Sequence, residues 1–342
     1  MRPRTFAAFV GPSLALMLIF IAAPLVTVLV ESVYVTRQVY ERTEIEVCTP
    51  GFLAQTCTRE ERTRPLIDAA GRPVMETVFV GLDSYRTLLR PDLLARAFAP
   101  DGGGLAAIAN IDFYRALRFT LTFTFLTLPL VVGLGLLLAL AMNAVTERLR
   151  GPLIFASLLP FIITPVIGAL SIRWLFVDDG ILANALAALA GQRIAMFAHG
   201  WTIELLMLVY RVWHVAPFAF IVFYAGLQTV DRDALESAIV DGASRFERLR
   251  YVIIPHLMPL IVFVALIHLM DAYRVFEEVI GFSSQAYRIS LQWLTYDFLI
   301  PDNAGNRSIA RASASSMLTM IGIVIILVPL LRRAWRDQRR TR

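Results

Sequence analysis

The stretch that decides the fold runs over residues 231–255, DRDALESAIVDGASRFERLRYVIIP, and separates two apolar runs that are each long enough to cross a membrane. Leu235, Ala238 and Ile239 share one helical face through their three- and four-residue spacing, which predicts a short amphipathic helix. Gly242 is expected to end it, because glycine tolerates the left-handed conformation required just beyond a helix. The stretch is therefore predicted to begin with a helix and a tight turn.

A second helix is predicted directly after that turn. Ser244 and Glu247 have the S-x-x-E spacing of a capping box, in which hydroxyl and carboxylate satisfy the free amides of a helix start. Pro255 is expected to end this helix about ten residues later, because proline lacks an amide hydrogen. Held near the membrane by apolar runs on both sides, the helix pair would offer a surface for docking another protein.

The same stretch resembles the EAA loop of ABC-transporter permeases. The matching residues are Glu236, Ser237, Ala238, Asp241, Gly242, Ala243, Ile253 and Pro255. Ser237 stands where alanine is usual and Ile254 where leucine is usual, and both are small changes in bulk. Further similarities to the carbohydrate branch are residues 80–86, Trp213 with Pro217 and Phe218, and residues 225–228. Residues 283–286 depart from the Gly-Gly-Gly-Pro-like turn of many carbohydrate permeases, so the sugar subgroup stays open.

The resemblance implies that this loop couples a cytoplasmic ATPase to the membrane spans. Leu235, Ala238 and Ile239 would be apolar contacts, while Glu236 would be a polar or charged one. Motion of the ATPase would pass through the loop and open the pathway alternately to each side. The coupling set is Leu235, Glu236, Ser237, Ala238, Ile239, Asp241, Gly242 and Ala243. The alternative is a loop that is capped only to hold two spans apart.

The composition independently predicts an integral membrane protein. The chain has 342 residues, of which 57% are hydrophobic and 17% charged, too few polar residues for a soluble globule of this size. A bilayer core about 30 Å thick needs roughly 20 apolar residues per helix. Six stretches qualify to varying degrees: residues 9–30, 119–142, 153–176, 203–225, 257–270 with their flanks, and 317–331. Pro160 and Pro165 are expected to kink the third.

The predicted fold class is an all-α integral membrane protein with about six transmembrane helices. The resemblance implies the type I ABC importer permease fold (MetI-like), a single permease domain over residues 1–342. The first stretch could instead be a signal peptide, but its apolar part exceeds the roughly 7 to 15 residues of a usual one. We expect it to be retained as an anchor.

Arginines predict the orientation, because short cytoplasmic loops accumulate positive residues. With the amino terminus inside, the arginines of both termini and of residues 148–150 and 231–255 fall on one side. Residues 36–112 then form a long extracytoplasmic loop between the first two spans. This loop holds Cys48 and Cys57, the two cysteines of the chain. An oxidising compartment and a separation of nine favour a disulfide over two unpaired thiols.

Several classes of protein are excluded by what the sequence lacks. All 32 Lys and Arg residues are arginine, and a P-loop needs its lysine, so ATP and Mg²⁺ would act on separate ATPase subunits. The four histidines lie in separate segments without H-E-x-x-H, and no G-x-S-x-G is present. We therefore expect no enzyme, no metal and no cofactor on this chain. Basic residues spread over membrane-flanking loops favour a membrane surface rather than nucleic acid as their partner.

Polar residues inside apolar spans indicate a pathway, because burying them in lipid is costly. Aromatic rings stack on the apolar face of a sugar, and carboxylates bind its hydroxyls. The candidate pathway residues are Tyr210, Trp213, His214, Asp271, Tyr273, Arg274 and Glu278. An alternative is that Arg211 with Glu277 or Glu278 only forms ion pairs, either within the chain or with a partner permease.

The resemblance implies a permease subunit of an ATP-driven importer for a sugar or polyol. The partners implied are a second permease subunit, two ATPase subunits and an extracytoplasmic solute-binding protein, in a bacterial inner membrane with both termini cytoplasmic. An importer of a polyamine or glycerol phosphate is an alternative within the class. An ATP-independent channel or secondary transporter, and a membrane enzyme, are alternatives outside it. The sequence leaves open which solute is carried and whether the permease pair is a homodimer or a heterodimer.

Overall fold

The computed structural model describes residues 3–50, 55–69, 71, 73–99, 103–177, 179–192, 195–302 and 306–340. It describes the backbone alone for residues 3–8, 45–50, 55–62 and 333–340. The backbone divides into two compact units. One comprises Met1–Arg90 and Phe298–Met317, and the other comprises Pro91–Asp297 and Leu318–Arg342.

The first unit contains an apolar helix followed by four strands. The helix is formed by α1 (Pro3–Met17), a π-helical turn (Leu18–Ala22) and α2 (Ala23–Glu31). After it come β1 (Tyr34–Gln38), β2 (Tyr40–Pro50), β3 (Gln55–Pro65), β4 (Met75–Phe79) and α3 (Asp83–Leu89). β1 pairs antiparallel with β4, and β2 with β3. Sequence reasoning does not predict β1 and β4, because their largely exposed residues lack the regular alternation of a half-buried strand.

The second unit is a bundle of helices. Its elements are α4 (Pro91–Ala97), α5 (Gly104–Ala109), α6 (Asp112–Asn143), α7 (Glu147–Ile162), α8 (Pro165–Phe176), α9 (Ile181–Ala190), α10 (Gly200–Leu227), α11 (Arg232–Val240), α12 (Arg245–Arg248), α13 (Ile254–Tyr273), α14 (Glu277–Gly281) and α15 (Leu291–Asp297). A π-helical turn, Leu249–Ile253, joins α12 to α13. The last helix, α16 (Ile309–Arg340), begins in the first unit and ends in the second.

Five of the six predicted spans are confirmed as single helical segments, and the third is a bent helix pair. Within the described residues, the five segments that are long and apolar enough to cross a membrane are Phe9–Glu31, Asp112–Asn143, Gly200–Leu227, Arg245–Tyr273 and Ile309–Arg332. A sixth consists of α7 and α8, which meet at an angle of 93°. The helices extend beyond the apolar stretches, because polar residues at the helix ends continue the backbone hydrogen bonding.

The break in the third span has its cause at Pro165. Ile163 and Thr164 have extended backbone conformations, with ψ of 134° and 135°. Thr164 directly precedes a proline, and the proline ring disfavours the helical conformation of the residue before it. Pro160, by contrast, lies inside α7. The predicted kink is therefore a full interruption, and it exposes backbone carbonyls to neighbouring helices.

The prediction that Pro255 ends the second loop helix is wrong. The helix continues from Arg245 to Tyr273, and Pro255 lies in the first turn of α13. The π-helical turn Leu249–Ile253 immediately precedes it. A proline inside a helix lacks an amide donor and crowds the carbonyl four residues before it, and the wider π-helical turn accommodates it here. The π-helical turn thus joins the loop helix and the fifth span into one continuous helix.

Small residues bring the central helices close together. A Cβ added at Gly135 of α6 would lie 2.5 Å from the Cβ of Ala219 in α10. A Cβ added at Gly281 of α14 would lie 2.5 Å from the Cβ of Ala169 in α8. Close approach through small residues is a common way to pack helices in membranes. Gly135 thus brings α6 against α10, and Gly281 brings α14 against the second half of the broken third span.

Candidate functional site

The turn after α11 is a Schellman motif. The amide of Ala243 donates to the carbonyl of Ala238 at 2.9 Å, and that of Gly242 donates to Ile239 at 3.0 Å. Gly242 has φ of +80°, in the left-handed region that favours glycine. The predicted role of Gly242 in ending the helix is confirmed.

The next helix begins with the predicted capping box. The Ser244 amide donates to Glu247 Oε2 at 2.7 Å, and the Glu247 amide donates to Ser244 Oγ at 3.3 Å. At the start of α11 the Asp231 side chain accepts from the amide of Asp233 at 3.0 Å. Both helix starts in the loop are therefore capped by side chains a few residues away.

The coupling residues divide by exposure. Ile239 and Val240 are 53% and 86% exposed, and Phe246 is also exposed. Leu235, in contrast, is partly buried and packs against the apolar core formed by α6, α10 and α13. Among the remaining members of the coupling set, Glu236, Ser237, Asp241 and Gly242 are exposed, and Ala238 and Ala243 are partly buried. The structure thus gives Leu235 an anchoring position, and it adds Val240 and Phe246 to the exposed apolar surface.

Arg211, Asp271 and Glu278, which we call the Arg211 cluster, form an ion-pair network inside the bundle. Arg211 lies in the central third of α10 and is buried. Its Nη1 donates to Glu278 Oε1 at 2.7 Å, and its Nη2 donates to Asp271 Oδ2. Glu278 is fully buried, whereas the Asp271 side chain is 58% exposed. One guanidinium therefore holds two carboxylates of very different accessibility.

A second contact locates this region halfway along the bundle. Thr127, midway between Asp112 and Asn143 in α6, shares a 2.9 Å hydrogen bond with His268 Nε2. The Thr127 hydroxyl donates to the carbonyl of Phe123 at 2.8 Å, so the ring nitrogen is the donor to Thr127. His268 lies less than one helical turn before Asp271 on α13. Sequence reasoning missed this pair, because 141 positions separate its members.

Tyr210 and His214 bind the carbonyls at the break in the third span. Tyr210 Oη donates to the carbonyl of Pro165 at 2.7 Å. His214 Nε2 lies 2.9 Å from the carbonyl oxygen of Ile163, which can only accept, so the ring donates. These two pathway candidates stabilise the interrupted helix, because carbonyls at a helix break lack their usual partners within the helix.

The remaining pathway candidates differ in accessibility. Tyr273 is buried. Trp213 is 44% exposed, and its ring lies 6.2 Å from that of Tyr210. Arg274 is exposed beyond the end of α13. Trp213, Asp271 and Arg274 are thus the candidates that a solute could touch in this structure.

A further ion pair lies near the start of α10. Arg288 Nε donates to Glu204 Oε2 at 2.6 Å, and the two side chains are 23% and 22% exposed. Thr122 of α6 approaches Glu204 Oε1 at 3.5 Å. This pair contains one cation and one carboxylate, so its charges balance, whereas the Arg211 cluster has one cation and two carboxylates. Sequence reasoning missed the pair.

Cys48 and Cys57 stand opposite one another in the register of β2 and β3. Their side chains lie outside the described part of the structure. The described residues contain no group of three or more His, Cys, Asp or Glu that could hold a metal ion.

The family of the chain follows from comparison with known sequences. Residues 102–341 match the model of the family described as binding-protein-dependent transport system inner membrane component. The chain belongs to this family. It is a membrane-spanning permease subunit of an ABC importer, not an enzyme, and ATP hydrolysis belongs to separate ATPase subunits.

Curated relatives cover most of the chain. The trehalose transport system permease protein SugA of Mycobacterium tuberculosis (strain ATCC 25618 / H37Rv) is 30% identical over 261 residues, 73% of this chain and 75% of that protein. The arabinooligosaccharides transport system permease protein AraP of Halalkalibacterium halodurans is 24% identical over 255 residues, 74% of each.

A solved structure shows the same fold. A chain of a bacterial ABC transporter involved in the import of the acidic polysaccharide alginate matches with a TM-score of 0.58 and 22% identity. The match covers 75% of this chain and 92% of that one. The predicted fold, that of a type I ABC importer permease, is confirmed.

Proposed function

We propose that this chain forms the membrane pathway for a sugar or polyol that an extracytoplasmic binding protein delivers. The observation that carries the proposal is the Asp271 carboxylate, whose side chain stays 58% exposed while the buried Arg211 of α10 holds it. Trp213, two positions after Arg211 on α10, is also exposed. An indole ring can cover the apolar face of a sugar, and a carboxylate can accept its hydroxyls. Relatives named for trehalose and arabinooligosaccharide transport support this class of solute.

The loop over residues 231–255 is the proposed coupling element. The Schellman turn and two side-chain caps make it a rigid unit, and Ile239, Val240 and Phe246 leave an apolar surface exposed on it. An exposed apolar patch on a rigid element is typical of a protein-docking site. This surface would seat in a groove of the ATPase, with Glu236 at its polar edge.

The proposed topology places both termini and this loop in the cytoplasm. The six spans alternate in direction, which puts residues 36–112 on the extracytoplasmic side. There the register of β2 and β3 supports a disulfide between Cys48 and Cys57. A disulfide would be detected as an electrophoretic shift on reduction that Cys48→Ser abolishes, and free thiols in both positions would contradict it.

The proposed assembly contains this chain, a second permease, two ATPase subunits that bind ATP and Mg²⁺, and the binding protein. In this assembly the chain would act as a single permease domain over residues 1–342. Whether the second permease is a copy of this chain is decided by the subunit composition of the purified complex.

Reconstitution tests the function. The chain is co-expressed with its cognate permease, ATPase and binding protein, and the complex is placed in liposomes. We expect ATP-dependent uptake of the sugar or polyol that gives the largest thermal shift of the binding protein. The sugar assignment is wrong if the binding protein responds only to a polyamine or glycerol phosphate. The importer assignment is wrong if uptake proceeds without ATPase.

A further inference from the structure

Arg211 is directed at carboxylates rather than at a solute. Both of its terminal nitrogens donate to carboxylates, and its side chain is buried. Its Nε has no partner among the described residues, but it is buried too, and a guanidinium offers no acceptor. A solute reaching this depth therefore meets the carboxylate that Arg211 positions, and not the cation itself.

Asp271 is the member of the cluster that faces outward. Its Oδ2 accepts from Arg211, and within the described residues no bond to its Oδ1 is formed. A carboxylate with 58% of its side chain exposed would be costly to place against lipid. It therefore faces a polar surface, which is either the transport pathway or a partner subunit.

The charges of the cluster do not cancel. One guanidinium stands against two carboxylates, which leaves one excess negative charge. The Glu204–Arg288 pair, by contrast, is balanced. In a medium of low dielectric constant an excess charge acts strongly on a nearby ion. An anionic solute at Asp271 is repelled, whereas a hydroxyl-rich neutral solute donates hydrogen bonds to it.

We infer that Asp271, positioned by Arg211 and through it by Glu278, is the hydroxyl-binding contact of the pathway, and that it excludes anionic solutes. The inference rests on the proposed function and names the substrate class of that same site. Asp271 touches the solute, while Arg211 and Glu278 are positioning residues. Glu278 fixes Arg211 from the buried side and so sets the direction from which Arg211 holds Asp271.

The test separates contact with the solute from a structural role. The complete importer with its binding protein is reconstituted in liposomes, and uptake and ATP hydrolysis are measured together. Asp271→Asn is expected to lower uptake per ATP at least tenfold, while binding-protein-stimulated hydrolysis stays within twofold of wild type. Asp271→Glu is expected to recover at least a third of the uptake. Glu204→Gln, which neutralises a carboxylate in the balanced pair, serves as the control with wild-type uptake per ATP.

Other results overturn the inference. One such result is an unchanged uptake per ATP in Asp271→Asn. Others are a parallel loss of uptake and hydrolysis in this variant, or its failure to assemble. The charge restriction is overturned if wild type carries an anionic solute, such as glycerol 3-phosphate, with the same uptake per ATP as a neutral sugar. In all these cases ATP-dependent uptake of a sugar or polyol by the wild-type complex still supports the proposed function, which fails if wild type carries no sugar or polyol.

Discussion

The coupling loop and the Arg211 cluster make their contacts over very different distances along the chain. The loop is held by hydrogen bonds between residues at most five positions apart. Arg211 reaches Asp271 across 60 positions and Glu278 across 67. The loop therefore keeps its shape when the bundle moves, whereas the cluster keeps its geometry only while α10, α13 and α14 stay packed. A coupled importer requires both: a rigid loop that passes on the motion of the ATPase, and contacts in the pathway that change when the helices move.

The comparison predicts the largest loss of stability at the cluster. Arg211→Met leaves Glu278 fully buried without its cation, and breaking one side of a buried ion pair typically costs about 3–5 kcal/mol. Denaturant unfolding of the purified complex in detergent measures this loss. Arg288→Met is the control, because its partner Glu204 can still reach water, and about 1 kcal/mol is expected. Equal losses in the two variants would show that burial does not distinguish the two sites.

In the loop, the largest effect is expected at Gly242. A Cβ there meets nothing within 4 Å, so the cost of Gly242→Val comes from the backbone conformation alone. A branched residue held at φ of +80° costs about 1–3 kcal/mol, and the turn is expected to open instead. Binding-protein-stimulated ATP hydrolysis should then fall at least tenfold.

Gly242→Asn is the matched control, because asparagine tolerates the left-handed region. It should retain most of the hydrolysis. If valine and asparagine have the same effect, the conformation of the turn is not what transmits the motion.

A smaller effect is expected at the capping box. Ser244→Ala removes the side-chain acceptor of the Glu247 amide, and loss of such a cap costs about 1 kcal/mol. The change should speed hydrogen exchange of the amides at the start of α12, with little change in α13. Faster exchange throughout α13 would mean that the loop and the fifth span unfold together.

The smallest effect on stability is expected at Ile239. Its side chain is largely exposed, so Ile239→Ser should change the free energy of unfolding by no more than about 0.5 kcal/mol. The same change should weaken retention of the ATPase during co-purification. Leu235→Ser is the comparison, because Leu235 packs against the core and its loss should destabilise the permease itself. Undiminished retention in Ile239→Ser would remove this face from the docking surface.

Local sequence patterns predicted the loop well, because its structure depends on neighbouring residues. The capping box and the left-handed glycine follow from residue types at fixed short spacings. Pro255 is the exception within the loop. The widened turn before it depends on continuity with the fifth span, which residue spacing alone does not reveal.

The candidate pathway was predicted less completely. The sequence identifies polar residues within apolar spans, but it does not distinguish a side chain that bonds a neighbouring helix from one that stays accessible. Tyr210 and His214 donate hydrogen bonds to carbonyls at the break before Pro165. Trp213, which lies between them on the same helix, remains exposed. Which face of a helix is covered depends on what packs against it.

By itself the sequence determined the class of protein, the six spans and the capped loop, because apolar length, helix caps and glycine conformation are properties of short segments. Only the tertiary structure decided that Arg211 is shared between Asp271 and Glu278, that His268 meets Thr127, and that Leu235 faces the core. Those contacts join residues far apart in the chain. Each is selected by close packing of helices, which fixes the partners that a buried polar group can reach.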